Sequence, residues 1–414
     1  MWIELQHSFF SPILSGQERR IHILCEELLR RGFQVSICAP RDGVDKVAPY
    51  EGKGPRLFVH PPFFSRKPKS LLDPIIYAGR LKNFLRKRWG IGAPDLVLAF
   101  QYTYVAASKR AWPDVPVAFL PGAMIGDWHS WLYGHRSLPA RAILRLKRPA
   151  QSYVEKEAVR AADQIFIETA LLRDRFLRRY PEIEAKIRLW PTPVDTVRFA
   201  PFQSRRAEIR ERLGVNRATK IILAVGRLQW NKNFSTLIEA TAMLRANGWL
   251  LLIVGQGSEQ GRLLGLVRAR GLEGRVRFLG ACSEMESLYA GADILAHPAL
   301  LEPYGNVVLE AMSSGLPCIV SPAGNVGLSG DLTDGTNALF ADPRDPGDWA
   351  NKITRLLDDA VWSAKLGKEA RKFCEDRPGW PSLTNKLLEE CGFPSREPQV
   401  FEPRRGVLVP GEEP

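Results

Sequence analysis

Two periods of apolar residues alternate through the second half of the chain. Lys220–Val225 (KIILAV) and Trp249–Val254 (WLLLIV) are short apolar runs that stop at Gly226 and Gly255. Runs of that length bounded by glycine predict strands buried on both faces. Between them, 234–246 carries apolar residues at spacings of three and four and is closed by Asn247-Gly248, which predicts an amphipathic helix. The alternation continues with a helix over 260–270, a strand over 276–279, a helix over 284–290 and a strand over 293–296. A helix over 305–314 stops at Gly315, a strand covers 317–321, and helices cover 348–357 and 362–374. Strands alternating with helices at this spacing predict a parallel sheet covered on both faces.

The first half repeats the theme less regularly. Strands are predicted over 2–6, 34–39, 95–100, 115–120 and 164–168, with helices over 18–31, 153–161 and 170–180. Two α/β units in tandem are the expectation, joined within the proline-containing stretch 191–206. The expected boundaries are 1–197, 198–376 and a last helix within 377–393, followed by a flexible tail, 394–414, that has no periodicity. Ligands of open parallel sheets bind beyond the carboxyl ends of the strands. That rule directs attention to the loops at 226–233, 255–259, 280–284 and 297–305.

The formal net charge of +13 is unevenly placed. The first 200 residues carry 32 Lys+Arg against 19 Asp+Glu, and the remainder carries 26 against 26. The excess is densest at 66–88 and 136–148, so the first half is expected to face something anionic. The 66–88 stretch sets Leu71, Leu72, Ile75, Ile76, Leu81, Phe84 and Leu85 among its cations, a pattern that suits the interface of an anionic membrane. None of the usual nucleic-acid-binding signatures accompanies the charge, so no nucleic-acid partner is expected. The six cysteines show no C-x-x-C spacing, which argues against a zinc or redox motif and fits a reducing cytosol. The opening residues lack a basic stretch followed by an apolar run, and no run is long enough to span a bilayer. A cytoplasmic location, peripheral to the inner face of a membrane, is the expectation.

Two segments offer chemistry. Gly226-Arg-Leu-Gln-Trp-Asn-Lys232 places two cations directly after a buried strand, where Arg227 can clamp a diphosphate and Lys232 adds a compact charge. Glu302-Pro-Tyr-Gly-Asn-Val-Val-Leu-Glu310 leads from a strand end into a helix whose first N–H groups suit an anion. Glu310 falls within an almost wholly apolar helix, so it is expected to be partly buried and to need a partner. A carboxylate there can accept two hydrogen bonds from a vicinal diol such as a ribose.

The spacing Glu302-x7-Glu310 within EPYGNVVLEAMSSGLPCIVS resembles the signature of the family 4 retaining glycosyltransferases of the GT-B fold. The resemblance extends in order through VGRLQWNKN (225–233), LLIVGQGSE (251–259), RVRFLG (275–280) and LTDGTNALFADPRDP (332–346). It is weaker at 9–37. The resemblance implies an α/β protein of two Rossmann-like domains, a donor cleft between them and a final helix crossing back to the first. It implies a retaining transfer of a hexose-type sugar from a nucleotide-sugar donor to a carbohydrate or lipid-linked acceptor, as in cell-surface polysaccharide or lipopolysaccharide biosynthesis. No cofactor or metal is implied.

Carried over by residue, the resemblance implies that Arg227 and Lys232, in the loop opened by Gly226, contact the donor diphosphate. Glu302 and the backbone at Tyr304, Gly305 and Asn306 would hold the transferred sugar, and Glu310 the ribose. Gly257 and Leu279 would lie by the nucleobase, and Gly16 would let a loop of the first domain approach the diphosphate. The chain departs from the family in two places. Ser15-Gly16 stands where relatives often have Gly-Gly, and the family histidine after the 115–120 strand is replaced by a stretch offering Asp127 or His129. His7 is a further candidate for the cleft. A GT-B nucleotide-sugar epimerase, a phosphorylase and a basic nucleic-acid-binding protein are the alternatives weighed; a phosphorylase's pyridoxal lysine motif does not occur.

Overall fold

The computed structural model describes residues 1–6, 16–40, 56–60, 73–87, 92–124 and 138–397. His7, Asp127 and His129, and the tail beyond 397, lie outside them. The described residues form two parallel sheets. The first contains β1 (Trp2–Gln6), β2 (Gln34–Pro40), β3 (Arg56–His60), β4 (Leu96–Ala99), β5 (Val117–Phe119), β6 (Gln164–Ile167) and β7 (Ile187–Leu189), in the order β3-β2-β1-β4-β5-β6-β7. The second contains β8 (Lys220–Val225), β9 (Trp249–Val254), β10 (Val276–Gly280), β11 (Ile294–His297), β12 (Cys318–Val320) and β13 (Leu339–Phe340), in the order β10-β9-β8-β11-β12-β13. These are two Rossmann-like α/β layers, as the alternating pattern predicts.

The chain divides into two compact units: Met1–Phe119 with Ala161–Gln164 and Trp380–Pro414, and Leu120–Arg160 with Ile165–Gly379. The first unit takes in the last helix, Trp380–Glu390. Arg31, fully buried at the end of the helix Gly16–Arg30, forms an ion pair with Glu27. Its Nε donates to Asn385 Oδ1 at 3.1 Å and its Nη2 to the Pro381 carbonyl at 3.0 Å. This guanidinium therefore fastens the last helix to the first.

In the second unit both faces of the β8–β13 sheet are covered, and alternate residues of each strand sort between them. Ile221, Leu223 and Val225 of β8 join one core with Leu295 and Cys318, against the helices Met285–Gly291, Asn306–Ser313 and Ala360–Glu375. Ile222 and Ala224 join the other with Ile253 and Ala296, against Phe234–Ala242, Gln260–Ala269 and Pro346–Asp358. Continuous apolar strands are the consequence of burial on both sides.

The strand order sets the functional geography. From β8 the chain moves outward to β9 and β10, then returns to β11 on the other side of β8. The loops after β8 and β11 therefore flank the switch point, the place where such sheets bind ligands.

Several elements differ from expectation. The helix Leu138–Ala161 begins well upstream of 153 and carries Pro149 inside it, where proline ordinarily stops a helix. Tyr102–Ala111 is a helix without a predicted pattern, because Tyr104, Val105, Ala106, Ala107, Ser108 and Ala111 are all buried and leave little polar face. β7 and β13 have three and two residues, too few to show a period. Within the basic 66–88 stretch, Asp73–Lys87 is a helix that buries Tyr77, Ala78, Leu81 and Leu85 in the first unit. Ile76 remains exposed beside Arg80, Arg86 and Lys87; Leu71 and Leu72 lie outside the described residues. Among the described residues no helix is long and apolar enough to cross a membrane.

Candidate active site

The loop after β8 is built to return a lysine beneath its own start. Leu228, fully buried, anchors it, with its N–H donating to the Gln256 carbonyl at 2.9 Å and its own carbonyl accepting from Glu259 N–H at 2.9 Å. A short 3-10 turn, Trp230–Lys232, then ends at Asn233 in the left-handed region, φ 55°. Asparagine tolerates that conformation, and here its Nδ2 also donates to the Pro343 carbonyl at 2.6 Å. The reversal carries the Lys232 stem below Gly226, where an added Cβ would lie 3.3 Å from Lys232 Cε.

Gly257 is explained by the same packing. A Cβ there would fall 2.3 Å from the Leu228 carbonyl oxygen, so only glycine lets this loop lie flat against the Arg227 loop. Leu279 on β10 is half-buried and packs against the core.

The loop after β11 is pinned from the opposite side. Asn231 Nδ2 donates to the Leu301 carbonyl at 3.1 Å, and Asn325 Nδ2 to the Leu300 carbonyl at 2.8 Å. Glu302 N–H donates to the Asn325 carbonyl at 2.8 Å, and the Glu302 carbonyl accepts from Gly327 N–H at 3.0 Å. Gly327 is required for this crossing, since a Cβ would meet the Pro303 carbonyl oxygen at 2.0 Å. With both backbone groups held, the Glu302 side chain has a fixed origin.

That side chain meets Lys232. The lysine Nζ donates to Glu302 Oε2, and both side chains are largely buried, 13% and 18% exposed. Burial, and next the charge of Arg227, push the Lys232 ammonium down to about 8. At neutral pH, below that value, the lysine is still mostly protonated. Arg227 itself is exposed. Glu302 also lines a small cleft of about 40 Å³ within the second unit, together with Gly122, Thr169, Arg175, Ala323 and Gly327.

Gly305, φ 117°, caps the helix Asn306–Ser313, and no side chain satisfies the first N–H groups there. Asn306 Oδ1 is buried without a hydrogen-bond partner. The Tyr304 hydroxyl is already committed, donating to the Thr192 carbonyl at 3.2 Å and accepting from Arg377 Nη2 at 2.7 Å. Only its backbone is left for a ligand. Glu310 has the partner its burial requires, for the Tyr289 hydroxyl donates to its Oε2 at 3.0 Å. Gly16 begins the helix Gly16–Arg30 of the first unit.

One participant was not anticipated. His297, the last residue of β11, is 1% exposed, and its Nε2 lies 3.6 Å from Glu302 Oε2. Burial, and then Lys232, hold its pKa well below the usual imidazole value, so the ring is neutral. Its position at a strand end beside the switch point was the available sequence signal.

The family profile described as Glycosyltransferase Family 4 matches residues 14–198, and that of Glycosyl transferases group 1 matches 205–373. Together they take in most of the chain. The chain belongs to the family 4 (group 1) glycosyltransferases. A D-inositol 3-phosphate glycosyltransferase of Salinispora tropica is 30% identical to this family 4 chain over 255 residues, 58% of the chain and 52% of the relative. The chain thus spans about half the length of the curated relatives it matches. Among solved structures, sucrose-phosphate synthase from Thermosynechococcus elongatus is similar in fold, with a TM-score of 0.76 at 22% identity over 94% of this chain and 97% of that one. Anabaena HepE, solved in complex with UDP, has a TM-score of 0.73 at 20% identity over 95% and 100%. Both likenesses concern the GT-B fold.

Proposed function

We propose that the protein is a retaining glycosyltransferase that moves a hexose-type sugar from a nucleoside diphosphate sugar to a carbohydrate or lipid-linked acceptor. The observation that carries this reading is the Lys232–Glu302 contact at the switch point. It sets a cation beside Arg227 on one side and a carboxylate at the lining of a cleft on the other. Arg227 and Lys232 would bind the diphosphate and neutralise the charge that develops as it leaves. The uncapped N–H groups at 305–307 would add hydrogen bonds to the same anion. Glu302 would orient the sugar hydroxyls and Glu310, oriented by Tyr289, the ribose. The bond from the anomeric carbon to the diphosphate breaks and the nucleoside diphosphate departs. The acceptor oxygen bonds to that carbon on the same face, and its proton passes to the leaving phosphate oxygen. With two cations in this place, no metal or cofactor is part of the proposal. The relative's inositol phosphate acceptor and the neighbour's UDP support a nucleotide donor and a polar acceptor.

We extend the reading to a donor domain at 198–376 and to a cytoplasmic enzyme of cell-surface polysaccharide or lipopolysaccharide assembly. Peripheral membrane contact through 66–88 rests on its charge, because most of the described apolar residues of Asp73–Lys87 face inward.

Thermal-shift measurements against UDP-, GDP-, ADP- and dTDP-sugars test the donor site. One sugar nucleotide should raise the melting temperature of the wild type, and Glu310→Ala should abolish the rise. No shift with any member of the panel rejects the assignment.

A further inference from the structure

Glu302 Oε2 has two neighbours, and only one of them holds it. Lys232 Nζ donates to it, while His297 Nε2 stands 3.6 Å away, beyond a hydrogen bond. Among the described residues neither ring nitrogen of His297 has a hydrogen-bond partner, although the side chain is buried. A buried polar group without a partner is rare and calls for a reason. The backbone around the ring is fixed, for the His297 carbonyl accepts from Ser321 N–H at 3.2 Å and Glu302 is pinned at both backbone groups.

We propose that His297 is a positioning residue that takes over the Glu302 carboxylate when Lys232 turns to a donor diphosphate. The inference rests on the donor reading above. A diphosphate carries more charge than one carboxylate, so the ammonium is drawn from Glu302 to the phosphates. The carboxylate would then be left mostly buried without a donor. Closing roughly 0.7 Å brings the imidazole Nε2–H to a normal distance of about 2.9 Å; hydrogen bonds at catalytic sites commonly tighten in this way on binding. A neutral imidazole suits the task because it offers one N–H without competing as a charge for the phosphates. Oε2 stays held, and Glu302 stays aimed into the cleft it lines. The lysine can therefore serve the leaving group without the sugar-orienting carboxylate losing its direction.

His297→Leu and His297→Gln test this in the full-length protein. The sugar nucleotide is the best binder among UDP-, GDP-, ADP- and dTDP-glucose, and the matching nucleoside diphosphate is the control. Calorimetry should give H297L a nucleoside diphosphate Kd within about twofold of wild type, because Arg227 and Lys232 are intact, while donor hydrolysis falls at least tenfold in kcat. H297Q, whose amide can donate to the carboxylate, should recover kcat to within about threefold. An unchanged kcat in H297L overturns the proposal. So does a parallel loss of affinity for both ligands, which would mark a purely structural residue, or a failure of H297Q to recover. If wild type binds no member of the panel, the donor reading falls and this inference with it. If wild type binds the donor and H297L matches it in kcat, only this inference falls.

Discussion

Lys232 Nζ donates to Glu302 Oε2 across 70 residues of sequence, joining the loop after β8 to the loop after β11. The two loops leave the sheet on either side of its switch point, so this one contact ties the loop proposed to hold the diphosphate to the loop proposed to hold the sugar. Removing either member alone strands a largely buried charge. Lys232→Met and Glu302→Gln should each cost about 1.5–3 kcal/mol of stability. The double variant should lose less than their sum, and urea unfolding of the four proteins measures the coupling.

Lys232 also gives the site a pH dependence of definite sign. Its pKa falls from 10.5 to about 8 on folding, through burial first and Arg227 second. Between those values the unfolded chain holds a proton that the folded one has released. Stability from this group therefore rises as pH increases from about 8 toward 10.5, and is flat below. Ligand affinity moves the other way. Nucleoside diphosphate binding should be about tenfold weaker at pH 9 than at pH 7 as the ammonium loses its charge. Calorimetry at the two pH values checks this, and in Lys232→Met the difference should disappear.

Gly257→Ala tests the packing of the loop after β9 on the loop after β8. Its methyl would overlap the Leu228 carbonyl, a backbone atom that cannot rotate away. A loss of about 1–3 kcal/mol is expected, together with weaker nucleotide binding as the Arg227 loop is displaced. Full nucleotide affinity in a destabilised G257A would separate this packing from the site.

Two tyrosines should behave in opposite ways. Tyr304→Phe removes a hydroxyl that ties Thr192 to Arg377, so melting temperature should drop with an energy of about 1–2 kcal/mol and nucleotide affinity should hold. Tyr289→Phe removes the hydroxyl that donates to Glu310, so its main effect should be a several-fold rise in donor KM, read by steady-state kinetics.

Arg31 is the test of the first unit. Arg31→Met leaves the buried Glu27 with Arg30 as its ion partner and breaks the links to Pro381 and Asn385. A loss of about 1.5–3 kcal/mol is expected, with limited proteolysis releasing the helix Trp380–Glu390 first.

The second half was legible because its elements are regular. KIILAV and WLLLIV could only be strands buried on both faces, and Gly271 and Gly315 stop their helices where the pattern ends. Tyr102–Ala111 escaped for the converse reason, since a helix buried nearly all round shows no period. Glu310 was expected to be buried with a partner, but Tyr289, 21 positions away, could not be named in advance.

By itself the chain determined its strands and helices, the parallel α/β class and the loops that carry Arg227, Lys232, Glu302 and Glu310. Those are local properties, fixed by side-chain period and by where glycine and proline interrupt it. Only the tertiary structure decided that Lys232 and His297 converge on one oxygen of Glu302. That convergence depends on β8 and β11 lying side by side while β9 and β10 pass outside them. Strand adjacency is set by packing and crossover geometry over many residues, and no local pattern along the chain encodes it.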